Sequence, residues 1–170
     1  IVSLLLSSFV VLAGPSMPGS GTPADPFVIN YLEDLNSVRS DLSAHYILNR
    51  SLDFYDSASY RSVGGELVEL MNMWTHPSGK FPVGGWNPIG DSEFPFTGSF
   101  DGQGYSISGL YIRTNFKNID KNIGLFGYSE EGNFSSVNLV NIYLLPESYQ
   151  YVGGLVGYSG SSIIYNCSSS

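Results

Sequence analysis

The stretch NIGLFGYSEEG (residues 122–132) decides the fold, because YVGGLVGYSG (residues 151–160) repeats it. Gly124-Leu125-Phe126-Gly127-Tyr128 is answered by Gly154-Leu155-Val156-Gly157-Tyr158, 30 residues later. Further along, SSVNLV (135–140) is matched by IIYNCS (163–168), which sets Asn138 and Asn166 in step at an offset of 28. Short apolar runs separated by Gly, Ser and Asn turns at this period predict an all-β solenoid with one coil per repeat. Leu125 and Leu155 are expected to stack and to point inward, and the opposite parity, with Phe126 and Val156 inside, is the competing arrangement. Asn138 and Asn166 are expected to stack as an amide ladder. In the same alignment Cys167 stands where Leu139 stands, as a small buried hydrophobe.

Composition agrees with strands and turns. Apolar residues make up 42% of the 170 and charged residues only 13%, with Gly, Ser, Asn and Tyr filling the difference. The 15 acidic side chains outnumber the 7 Lys and Arg, for a net charge of −8, and no basic run exists to follow a phosphate backbone. Nucleic-acid binding is therefore excluded as an expectation. A single cysteine allows neither an intrachain disulfide nor a cysteine-based zinc site.

From its start, IVSLLLSSFVVLAG is apolar and uncharged, too short for a comfortable membrane span, and followed by turn residues. Residues 1–13 read as a secretory signal peptide lacking its charged front end, cut after Ala13; a buried strand or helix is the alternative. Residues 14–24 form a Pro/Gly/Ser linker. Residues 25–55 hold a first strand at Phe27–Ile29 and then Leu32, Leu35, Val38 and Leu42 at helical spacing, with Glu33 and Asp34 near the helix start. This short helix is expected to cap the open end of the solenoid, before HYILNRSLDF returns to strand. Residues 56–83 match neither repeat and are expected to be an insertion that docks Leu67, Leu70 and Trp74 against the coils. Residues 84–170 carry the coils, ending in the middle of one, so the chain reads as a fragment from which further repeats continue.

Several of these segments together resemble one family. GLFGY and GLVGY resemble the GLUG motif, a repeat of bacterial and archaeal extracellular proteins. GGWNPIGDSEFPFTGSFDGQGYSISGLYI is similar to the segment that precedes such repeats, and GTPADPFVINYLEDLNSV with HYILNRSLDF resembles their N-terminal start. The resemblance covers roughly residues 20–55 and 84–170, and residues 56–83 are longer than its pattern expects. It implies a right-handed parallel β-helix on a secreted or cell-surface protein, adhesin-like or otherwise modular. The repeat residues it singles out are Gly124, Leu125, Gly127 and Tyr128, with Gly154, Leu155, Gly157 and Tyr158.

Candidate chemistry is sparse. Polysaccharide lyases and hydrolases also use parallel β-helices and need converging carboxylates. Asp91, Glu93 and Asp101 are the candidates, with Arg113 or Lys117 beyond them; Asp91 and Glu93 share a parity on an extended chain. The competing reading is a solvated loop and a turn-forming Asp. His45 and His76 are isolated, with no metal-binding or triad spacing. Glu130 and Glu131 sit in a turn, where charge serves solubility more readily than calcium binding. Asn49, Asn133 and Asn166 open glycosylation sequons. No cofactor and no metal are expected. The function expected is a non-catalytic extracellular or cell-surface module that binds carbohydrate or a protein surface, and the alternative is a carbohydrate-active enzyme.

Overall fold

The computed structural model describes residues 17–61, 85–113, 122–146 and 151–170. The expected signal peptide, the docking residues Leu67, Leu70 and Trp74, and Lys117 and His76 lie outside the described residues. What is described is all-β with one short helix, and the named strands pair in parallel.

The first sheet orders β1 (Phe27–Ile29), β2 (His45–Leu48), β4 (Ser99–Asp101), β9 (Asn133–Ser135) and β14 (Ile163–Tyr165). Its register brings Phe27, Tyr46, Phe100, Phe134 and Ile164 into one row. The second sheet joins β3 (Leu52–Asp53), β5 (Ser106–Ser108), β10 (Asn138–Val140) and β15 (Ser168–Ser169). Three two-stranded ladders complete the set. They are β6 (Tyr111–Arg113) with β11 (Tyr143–Leu145), β7 (Asn122–Ile123) with β12 (Tyr151–Val152), and β8 (Phe126–Glu130) with β13 (Val156–Gly160). Each strand thus lies beside its counterpart one repeat on, where a parallel ladder hides backbone groups and places like side chains over like.

The pairing corrects the sequence alignment in one place. Phe126 lies opposite Val156, Asn133 opposite Ile163 and Asn138 opposite Ser168, so the step is 30 residues in all three ladders. The offset of 28 is not adopted, and Asn138 and Asn166 form no ladder. Asn166 instead occupies the corner after β14 with φ 52°, matching Ser136 (φ 51°) after β9, and its Nδ2 donates to the Ser136 hydroxyl at 3.3 Å. Because both corners have the same length, no two-residue slip is possible. Cys167 accordingly matches Val137 rather than Leu139, and it packs, partly buried, against the core.

Other corners repeat in the same way. Glu131 (φ 57°) is matched by Ser161 (φ 49°), and Gly109 (φ 74°) by Asn141 (φ 54°). A single left-handed residue turns the chain from one strand to the next, a conformation that Gly adopts freely and Asn tolerates better than most.

Aromatic rings dominate the interior. Phe96 lies 4.7 Å from Phe126 and 5.4 Å from Phe134, and Phe126 meets Phe100 edge-on at 5.3 Å. Each fully buried ring of this size contributes roughly 1.5–3 kcal/mol over its exposed state. Leu125 and Phe126 are both fully buried, so neither parity wins alone. A bend at Gly124-Leu125 separates β7 from β8, so strict strand alternation does not hold across it.

The helix is shorter than its apolar spacing predicted. α1 runs Leu32–Ser37 and tightens into a 3₁₀ turn at Val38–Ser40. Leu32, Leu35 and Val38 enter the same core as the strands, and Leu42 packs on it from the following loop. Asp34, 1% exposed, holds the helix start by accepting from the backbone N–H groups of Asn30 (3.0 Å) and Tyr31 (3.1 Å) and pairing with Arg61.

Candidate functional site

The repeat motif and the acidic loop are the two places where sequence placed function, and the fold treats them differently. In the motif, Tyr128 and Tyr158 stack with ring centroids 4.4 Å apart and planes at 21°, and Tyr151 meets Tyr158 edge-on at 5.5 Å. Leu125 and Leu155 are 0% and 9% exposed in successive layers. The glycines sit where backbones nearly touch. A Cβ on Gly124 would lie 2.7 Å from the Gly153 carbonyl oxygen and 2.9 Å from the Gly157 nitrogen, and one on Gly157 2.7 Å from the Ile123 nitrogen. Gly127 meets the Gly90 carbonyl oxygen at 2.7 Å. Gly154 faces only side-chain atoms, Ile142 Cδ1 at 2.8 Å and Ser169 Cβ at 2.9 Å. Close approach of main chains, not a left-handed φ, explains Gly124, Gly127 and Gly157.

Asp91 and Glu93 line an open cavity of about 920 Å³ between the 3₁₀ turn and the 87–94 loop, with Arg39, Asp41, Phe94 and Asn122. Their expected shared parity does not apply, because the loop is not extended there. The Asp91 Oδ1 accepts from the N–H groups of Glu93 (3.0 Å) and Phe94 (2.7 Å), closing a tight turn. Asp101 is not part of that lining; its carboxylate accepts the Gln103 N–H at 2.9 Å and the Gln103 amide, holding the corner after β4. Arg113 ends β6 and is exposed. His45 Nδ1 lies 2.6 Å from the Ser99 hydroxyl across paired strands. Among the described residues no three His, Cys, Asp or Glu side chains are grouped to hold a metal ion.

Arg39 is the residue of this cavity that spacing alone did not single out. Its guanidinium lies 4.8 Å from the centre of the Trp86 ring and donates to Asn36 Oδ1 (2.9 Å) and to the carbonyls of Pro88 (2.8 Å) and Asn87. Burial lowers its pKa to about 10, which still leaves it charged at neutral pH. With two donors on the Asn87 and Pro88 carbonyls and Nε on Asn36, Arg39 fastens the 87–88 segment to the helix end. The only sequence signal was a cation inside the apolar helix stripe, next to Val38.

Comparison with known proteins agrees with the repeat reading. The GLUG motif family model matches residues 148–170. The chain is 29% identical over 151 residues to a protein of Evansella cellulosilytica described as a Gly-rich membrane protein, covering 88% of this chain and 15% of that one. It is 31% identical over 145 residues to Halomucin of Haloquadratum walsbyi, covering 85% of this chain and 1% of that one. The chain therefore spans a small part of the relatives it matches. No solved structure matches it. The chain thus carries a GLUG motif at residues 148–170, and the like stretch one repeat earlier pairs with it in register.

Proposed function

We propose that this chain is a non-catalytic extracellular or cell-surface repeat module, folded as a right-handed parallel β-helix whose open end is capped by α1. The observation that carries the reading is the 30-residue step, kept in three ladders, with Gly124, Gly127 and Gly157 where neighbouring backbones come too close for a side chain. Such a stack is stabilised by neighbour on neighbour, which suits a long modular chain. The surface-type names of both relatives support an external location, and residues 1–13 as a secretory signal fit it. Among the described residues no helix is long and apolar enough to cross a membrane. The turn that engages Asp91 favours binding over catalysis, since that carboxylate already serves the loop. Further repeats of the same chain would cover Val152, Ile164 and Tyr165, which are 46%, 48% and 72% exposed.

The experiment is to express the chain in a secreting host and sequence the exported product. An N-terminus at Gly14, with protease accessibility on intact cells, is expected. Retention of residues 1–13 inside the cell would overturn the location, and a crystal structure with left-handed or antiparallel layers would overturn the fold.

A further inference from the structure

A second groove lies away from the acidic loop, on the corner between the second sheet and the β6–β11 ladder. It encloses about 590 Å³ and is lined by Asp53, Tyr55, Ser108, Gly109, Asn141 and Tyr143. These residues come from three successive layers, because β3 pairs with β5 and β5 with β10. The groove therefore runs across two strand spacings, roughly 9.6 Å. Its two aromatic walls are open, Tyr55 at 50% and Tyr143 at 58% exposure.

The local build explains the shape. The Asp53 carboxylate accepts the Tyr55 N–H at 2.8 Å and turns the chain after β3, so that the Tyr55 ring lies against Gly109. A Cβ on Gly109 would stand 2.6 Å from the Tyr55 ring, and Gly109 also has φ 74°, so a side chain there is doubly disfavoured. In the next layer the matching left-handed corner is Asn141, φ 54°, whose exposed amide replaces the missing side chain. The groove thus combines two exposed tyrosine rings with a carboxylate, a hydroxyl and an amide.

We propose that this groove binds a neutral oligosaccharide. Pyranose rings offer C–H faces that stack on tyrosine and hydroxyls that need both donors and acceptors at the rim. The groove spans more than one sugar ring, and a volume near 590 Å³ falls within the range of small-ligand sites. The Asp53 carboxylate and the chain's net charge of −8 disfavour uronate or sulfated chains. The inference deepens the surface-module reading and rests on it, because an exposed groove on an external module faces surrounding glycans.

The test titrates the purified chain with hexasaccharides of β-1,4-glucan, β-1,4-mannan and α-1,4-glucan, and with an oligogalacturonate as the acidic probe. At least one neutral probe is expected to bind, with Tyr55→Ala and Tyr143→Ala each weakening it about tenfold. Gly109→Ala, which displaces the Tyr55 ring from behind, is expected to do the same, and Tyr151→Ala to leave affinity unchanged. Melting curves confirm that each variant is folded. Binding that survives the double Tyr55/Tyr143 variant, falls equally in Tyr151→Ala, or prefers the acidic probe overturns the proposal. So does failure of every probe to bind. Protease accessibility of the same chain on intact cells separates this failure from failure of the surface reading, which would show as a protected chain.

Discussion

Residues 122–146 and 151–170 carry the same motif in the same register, yet they live in different surroundings. In the earlier repeat Ile123, Phe126, Phe134 and Leu139 are at most 1% exposed. Their partners one layer on are Val152, Val156, Ile164 and Ser169; Val152 and Ile164 are 46% and 48% exposed, and Val156 is partly buried. Only Leu155, at 9%, comes near the burial of its counterpart Leu125. What differs among the described strands is that β9 and β10 pair on both sides, whereas β14 and β15 pair on one. Burial in a stacked sheet belongs to the neighbour as much as to the residue, so identical motifs carry unequal energetic weight.

The largest effect should come from truncating the ring row. Phe134→Ala should cost about 3–5 kcal/mol in chemical denaturation, as buried Phe truncations do. Its partner variant Ile164→Ala should cost less than about 1 kcal/mol, as at other half-exposed sites. Equal costs would break the contrast between layers.

The glycines sharpen it next. Gly124→Ala places a Cβ against three backbone atoms within 2.9 Å and should destabilise by about 1–3 kcal/mol. Gly154→Ala meets no backbone atom, only Ile142 Cδ1, which can yield, and Ser169 Cβ, which must shift by a few tenths of an ångström, and should cost about 1 kcal/mol or less. If Gly154→Ala proves as damaging as Gly124→Ala, the last layer is as tightly packed as the one before.

Alkaline titration extends the contrast to the amino-terminal layers. Burial raises the pKa of Tyr46, with Asp41 adding to it, and raises that of Tyr60, with Glu33 and Asp53 adding to it. Their phenols donate to the Asp41 carbonyl at 2.6 Å and the Phe54 carbonyl at 2.7 Å. A phenol with a raised folded pKa contributes stability in full below its unfolded pKa, near 10, and loses it as pH rises. Arg39 acts oppositely, because burial lowers its pKa to about 10 and the folded state sheds that proton first. Two losses against one gain leave a net fall of about 1.4 kcal/mol per pH unit above pH 10. In the Tyr46→Phe/Tyr60→Phe double variant the slope should reverse sign. An unchanged slope would show that these two phenols do not carry it.

Smallest is a hydroxyl pair. Ser129, fully buried, donates to the Phe96 carbonyl at 2.8 Å and lies 3.0 Å from the Ser162 hydroxyl. Ser129→Ala should cost about 1 kcal/mol, whereas Ser159→Ala, at its exposed register partner, should be neutral within about 0.5 kcal/mol. Comparable melting shifts for the two would contradict the layer argument.

Local pattern was legible wherever it reports local chemistry. The GLxGY cores, the apolar stripe Leu32-Leu35-Val38 and the acidic composition are properties of neighbouring residues. They led to an all-β repeat protein with one short helix. The same reading misaligned Asn166 with Asn138 by matching letters, since corner length and ladder register are settled across layers. Asp91 and Glu93 looked paired on an extended strand because the turn closed by Asp91 leaves no periodic trace.

By itself, then, the sequence determined the repeat, its strands and its charge, because these follow from residue type and spacing along one chain. Only the tertiary structure decided the 30-residue step, the left-handed corners at Ser136, Asn141 and Asn166, and which copy of the motif is covered. It alone brought Tyr55, Gly109 and Tyr143 to one groove from positions far apart in the chain. The physical reason is that a parallel stack makes its contacts between layers rather than along the chain, and those contacts exist only once the layers are in place.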